Sequence, residues 1–79
     1  MLEQIIEQYY EEELLIADGF DEAVIGVEEN EMRIIYSVSK CLEILGQDMN
    51  EIDAIEYFTY NVSGSYVGEK TPIWCWDNY

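Results

Sequence analysis

Glu3, Glu7 and Glu11 recur at four-residue intervals, and Asp18, Asp21 and Glu22 follow them. On a helix, carboxylates so placed stand about 6 Å apart along the axis, the scale on which a nucleic-acid backbone spaces its negative charge. From Glu7 to Glu31 the chain carries ten carboxylates and no basic residue. The chemistry open to such an array is attraction of a positively charged surface, weakening as salt screens it. Two blander explanations stand beside it: a solvated face that keeps a small protein soluble, and the acidic composition of a halophile.

Other chemistry finds little purchase. The chain has no histidine, which removes the commonest general base, and it has no glycine-rich phosphate loop, zinc-ligand cluster or activated-serine pattern. A non-enzymatic protein without cofactor or resident metal is therefore expected. Glu12 with Asp53 is the sort of carboxylate pair that holds a divalent cation, but 18 acids in 79 residues produce such pairs by chance. Cys41 and Cys75 sit among apolar neighbours in "KCLEIL" and "IWCWD", where a thiol packs as a small hydrophobe and no activating partner lies nearby in sequence. Trp74 and Trp76 alternate with Cys75, so a strand there turns both indoles to one side, where they form either core or an aromatic recognition patch.

The elements that must position these residues follow from apolar periodicity. Leu2, Ile5, Ile6, Tyr9 and Ile16 fall on one side at helical spacing, predicting an acidic amphipathic helix over residues 1–17. Like charges at i, i+4 disfavour that helix by a few tenths of a kcal/mol per pair. Asp18 and Gly19 stop it. "AVIGVEE" and "MRIIYSV" are β-branched runs around "ENE", predicting a hairpin over 22–38 with Asn30 in its turn. Ser39 is the expected cap of a short helix over 39–46, with Cys41, Leu42 and Leu45 inward and Gly46 ending it. Asn50, with Asp53 three residues on, opens a helix over 50–64 whose face is Ile52, Ile55, Phe58, Thr59 and Val62. Gly64 or Gly68 ends it, Gly68 being suited to positive φ. "PIWCW" gives a final strand over 72–77, with Pro72 at its start.

The order α-β-β-α-α-β implies one α+β domain over 1–79: a small, mostly antiparallel three-stranded sheet with helices on one face. Hydrophobic residues make up 49% of the chain, with seven tyrosines and two tryptophans, too apolar a composition for a disordered acidic tail. A formal charge of −15 against Arg33, Lys40 and Lys70 alone opposes compaction through self-repulsion. It also disfavours direct contact with nucleic acid or an anionic membrane. No apolar run spans a membrane and the N-terminus lacks the pattern of a signal peptide, so an intracellular protein with reduced thiols is expected.

Two segments, "DGFDEAVIGV" and "EYFTYNVSGSYVGEKTPIW", with "YSVSKCLEIL" between them, resemble a family of small phage proteins without known activity. The resemblance covers roughly the last three-quarters of the chain. It implies a phage source and a role in the host cell cytoplasm, and it transfers no catalytic residue. The chain departs from the family in its "CWDNY" end, its short "GQDMNE" connection and its acidic N-terminal helix. Small acidic phage proteins include DNA mimics that block host enzymes, an analogy of class. The expected role is binding a basic host-protein surface, in its specific form as a nucleic-acid mimic inhibiting a defence or DNA-processing enzyme. The rival expectation is a structural or assembly protein that forms a homo-oligomer through its Tyr/Trp surface, its acidity serving only solubility.

Overall fold

The computed structural model describes residues 1–64 and 68–77; "SYV" of the second phage-like segment and the last two residues lie outside them. The α+β order is observed: α1 (Leu2–Gln8), a 3-10 turn (Asp21–Ala23), β1 (Val24–Glu28), β2 (Arg33–Ser37), α2 (Val38–Leu45), α3 (Glu51–Tyr57) running into a π-helical segment (Phe58–Ser63), and β3 (Ile73–Cys75).

Helix α1 stops far short of residue 17. Its seven residues are marginal as an isolated helix, and it is held by Leu2 and Ile5, which are buried in the core. Glu11, Glu12 and Glu13 would extend its C-terminal end, where the helix dipole disfavours anions, and its last turn has no basic residue to compensate. Tertiary contacts then win. The Tyr9 hydroxyl donates to Glu29 Oε1 at 2.9 Å, and the backbone N–H of Ala17 donates to the Tyr36 hydroxyl at 2.7 Å. Residues 13–17 are consequently irregular, with Leu14 and Ala17 packed on the core, while Ile6 and Ile16, expected inward, are exposed. Gly19 makes the turn with φ +90°, a conformation that favours glycine.

Strands β1 and β2 form the expected antiparallel hairpin, with an irregularity between Val24 and Gly26 that marks a bulge. Asn30 lies in the turn, but Met32 is the residue that adopts positive φ, at 58°. The turn is capped by Glu28, whose carboxylate accepts from the backbone N–H groups of Asn30 and Glu31 at 2.6 and 2.9 Å.

The sheet order is β1-β2-β3, and β3 pairs parallel to β2. The sheet is mixed, where a mostly antiparallel one was expected. The physical reason is that β2 runs straight into α2, so the chain crosses back through residues 38–72 and re-enters the sheet from the end where β2 began, as parallel pairing requires. Positive φ at Gly68 (113°), the Thr71 hydroxyl donating to the Gly68 carbonyl at 2.6 Å, and Arg33 Nε donating to the Thr71 carbonyl at 2.6 Å fix that re-entry.

Two helix assignments also shift. Ser37, not Ser39, is the N-cap of α2, accepting from the Lys40 N–H at 3.2 Å. Asn50 caps α3 as expected, accepting from the Asp53 N–H at 2.8 Å. The inward face of α3 is Ala54 and Phe58, with Val62 packed alongside; Ile52, Ile55 and Thr59 are exposed. Alanine lets α3 approach its neighbours closely, and the wider i→i+5 winding after Tyr57 keeps Phe58 and Val62 on one side.

Candidate binding surfaces

Three groups of side chains have chemistry to offer: the acidic face, the aromatic cluster at β3, and a cavity between them.

Glu3, Glu7, Glu11, Asp18, Asp21 and Glu22 are all exposed, and their side chains make no hydrogen bond or ion pair among the described residues. The ion pair found among those residues, Lys70 to Glu12 at 3.6 Å, joins an acid outside this set. Glu3 and Glu7 share helix α1, Glu11 lies in the turn beyond it, Asp18 precedes the Gly19 turn, and Asp21 and Glu22 lie in the 3-10 turn. The charge is present and uncompensated, but the regular four-residue stripe ends at Glu7 because the helix does. Among the described residues no group of three or more His, Cys, Asp and Glu side chains is arranged to hold a metal ion. Glu12 is engaged with Lys70 rather than with Asp53.

Trp74 and Trp76 do turn to one side. The Trp74 ring stacks on Tyr36 at 5.1 Å between centroids, and Phe58 meets Trp74 edge-on at 5.4 Å and Trp76 at 5.8 Å. Such pairs each contribute about 0.5–1.5 kcal/mol beyond burial. Tyr36 and Phe58 are fully buried, Trp74 is half-buried, and Trp76 is 50% exposed near the end of the described chain. The pair is thus divided between core and surface, as its place at a strand end allows. Burial raises the Tyr36 hydroxyl pKa, opposed by the donated Ala17 N–H and reinforced by the carboxylates of Asp21 and Asp18. Cys41 is buried in the core cluster, and desolvation, with a contribution from Asp77, pushes its thiol up to about 12. It packs as a hydrophobe.

Asp77 is a member of this region that sequence reasoning passed over. Ser37 Oγ donates to Asp77 Oδ2 at 2.6 Å, and the Ser39 backbone N–H donates to Oδ1 at 3.1 Å. Those bonds, the Ser37 hydroxyl first, hold its carboxyl below the usual range. The carboxylate also meets the N-terminus of α2, where negative charge is favoured. The signal that could have found it is the pair of serines at a strand-to-helix junction, which leaves N–H groups for a distant acceptor to take.

The cavity measures about 650 Å³ and is bounded by residues 15–20, the C-terminal end of α2, the π-helical segment and β3. Trp74 lines it, and the indole Nε1 of Trp74 is buried without a hydrogen-bond partner among the described residues. An unmatched buried donor costs about 1–3 kcal/mol. Compared with protein-family models, with curated proteins and with solved structures, the chain matches none.

Proposed function

We propose that this protein acts by binding, without catalysis of its own, and that its partner is a positively charged protein surface met by the acidic face of residues 3–22. The observation that carries this reading is the absence of compensation: the six carboxylates named above are exposed and unpaired among the described residues. Bringing basic groups against them relieves repulsion within the face and adds attraction across it. The phage-like segments favour a host protein in the cytoplasm of an infected cell. A host enzyme that handles nucleic acid offers the right basic groove, and the protein then acts as a nucleic-acid mimic. Because the stripe is irregular beyond Glu7, such mimicry rests on charge density rather than on a matched phosphate spacing. No helix among the described residues is long and apolar enough to cross a membrane.

The test is retention of host proteins on the immobilised chain, comparing the wild type with the triple variant Glu3→Gln, Glu7→Gln, Glu11→Gln, and eluting with duplex DNA. Release by DNA of a protein that the triple variant never held supports mimicry. Equal retention by both forms, or elution indifferent to DNA and salt, removes it.

Self-association has an observation of its own. Ile52 is 71% exposed and Tyr60 80%, with Ile55 and Tyr57 also exposed along α3 and its π-helical continuation. Apolar side chains gathered on one surface mark interaction sites. If that face joins copies of the chain, sedimentation shows a dimer or larger species that added salt leaves intact and that Ile52→Lys abolishes.

A further inference from the structure

Helix α3 and its π-helical continuation turn Ala54 and Phe58 inward. Their outer side reads in steps of four residues, about one turn each: Glu51 to Ile55, Ile52 to Glu56 to Tyr60, and Asp53 to Tyr57. Side chains so spaced are neighbours on a helix surface. All seven are exposed, Ile52 and Tyr60 the most among the apolar ones. Each exposed isoleucine or tyrosine of this element therefore has a carboxylate about one turn away. Among the described residues, the carboxylates of Glu51, Asp53 and Glu56 make no ion pair or hydrogen bond. The helix dipole favours Glu51 and Asp53 in the first turn, but its effect falls off within that turn and gives Glu56 no such reason.

The interleaving says what fits this face. A two-fold contact sets the same patch of both copies together, so a second copy would bring Glu51, Asp53 and Glu56 against their own counterparts on chains that each carry −15. Like charges so juxtaposed oppose association. The side chain that meets apolar carbon and carboxylate one turn apart is arginine: its guanidinium stacks on an aromatic ring and forks onto a carboxylate, while its methylene stem lies along an aliphatic neighbour. Rows one turn apart are matched by the rows of another helix packed alongside. We propose that the outer face of α3 and its π-helical continuation docks an arginine-rich amphipathic helix of a partner protein. Tyr57 and Tyr60 stack with guanidinium groups that Asp53 and Glu56 hold, and Ile52 and Ile55 pack on the apolar residues between them. These residues are distinct from the carboxylates of residues 3–22, and neither reading depends on the other.

The test uses fluorescent synthetic peptides as probes: a helix of arginine and leucine with leucines recurring at i, i+3 and i+4, a scrambled peptide of the same composition, and the patterned peptide with lysine in place of arginine. The wild type should bind the first at one saturable site, the scrambled form about tenfold more weakly or worse, and the lysine form more weakly than the first. Backbone amide shifts at saturation should gather at residues 51–60. Ile52→Ser with Tyr60→Ser should lose about tenfold in affinity or more. Asp53→Asn with Glu56→Gln should lose affinity and flatten its dependence on salt. The triple variant Glu3→Gln, Glu7→Gln, Glu11→Gln should bind within about twofold of the wild type, so that failure here and failure of the acidic-face reading are told apart. Equal affinity for the patterned and scrambled peptides, or shifts gathered at residues 3–22, would mean attraction by net charge alone and overturn the proposal. So would no binding at all, or a chain that sediments as a dimer until Ile52→Ser is made, which gives the face to a second copy. The shifts are read in the wild type, so a variant that fails to fold does not rescue the idea.

Discussion

Residues 1–31 carry eleven acids and no base and form one short α-helix, a 3-10 turn and one strand, whereas residues 33–77 hold all three basic residues and, among the described residues, two α-helices and two strands. The first region keeps few long-range side-chain bonds: Tyr9 to Glu29, Lys70 to Glu12, and the Tyr36 hydroxyl on the Ala17 N–H. The second is fastened by the Tyr36, Phe58, Trp74 and Trp76 rings, by the Arg33 contact with Thr71, and by the Asp77 cap. The difference teaches that charge density decides how far regular structure extends here. Where carboxylates crowd a helix end whose last turn has no basic residue, the helix yields and the chain takes the path its few apolar, tyrosine and Lys70 contacts dictate.

If that contrast is right, damage to the aromatic cluster should exceed any damage on the acidic side. Phe58→Ala, which empties the centre of the cluster, is expected to lose about 3–5 kcal/mol, a large share of the stability of a small domain, measured by urea denaturation. Tyr36→Phe keeps the stack on Trp74 and removes the acceptor for Ala17; it should lose about 1 kcal/mol and speed amide exchange selectively at Ala17. Uniform acceleration across the sheet would show that the irregular segment is not separately pinned.

Asp77→Asn should destabilise less, and with a definite pH dependence. The folded carboxyl titrates below its unfolded value of about 3.9, so the stabilisation it gives is present above that value and is lost as pH falls through the folded one. Wild type and variant should differ in Tm at pH 6 and converge in strong acid; a gap that persists there refutes the cap. Smallest of all, Glu11→Lys, Glu12→Lys and Glu13→Lys together should leave the core unchanged and lengthen α1 beyond Gln8, seen in the chemical shifts of residues 9–13. A helix that still ends at Gln8 would assign its end to the Tyr9 and Ala17 contacts and not to charge.

The same division sets what could be read from the chain. The hairpin, the Asn50 cap and the left-handed Gly68 were legible because each depends on neighbours in sequence. The length of α1 was not: apolar spacing runs on to Ile16, and only the tertiary acceptor on Tyr36 shows where Ala17 goes. The parallel direction of β3 and the cap from Asp77 were hidden for a related reason, since both join residues almost forty positions apart. The exposure of Ile52 and Ile55 follows from Phe58 being claimed by two tryptophans, which rotates α3 away from its most apolar face. Of the candidate site residues, the six acids could be placed on the surface from composition alone. The cavity beside Trp74 could not, because its walls come from four separate parts of the chain.

The parallel pairing of β3 with β2 also bears on how the molecule assembles. A hairpin closes within microseconds because its partners are neighbours, whereas Ile73 must find Ile35 across the length of the crossover. β3 is therefore expected to dock after the main barrier is crossed. Conservative changes at Ile73 should then quicken unfolding while leaving the folding rate nearly unaltered, and the strand that carries Trp74 and leads into Trp76 becomes the clasp whose release governs how long the native state lasts.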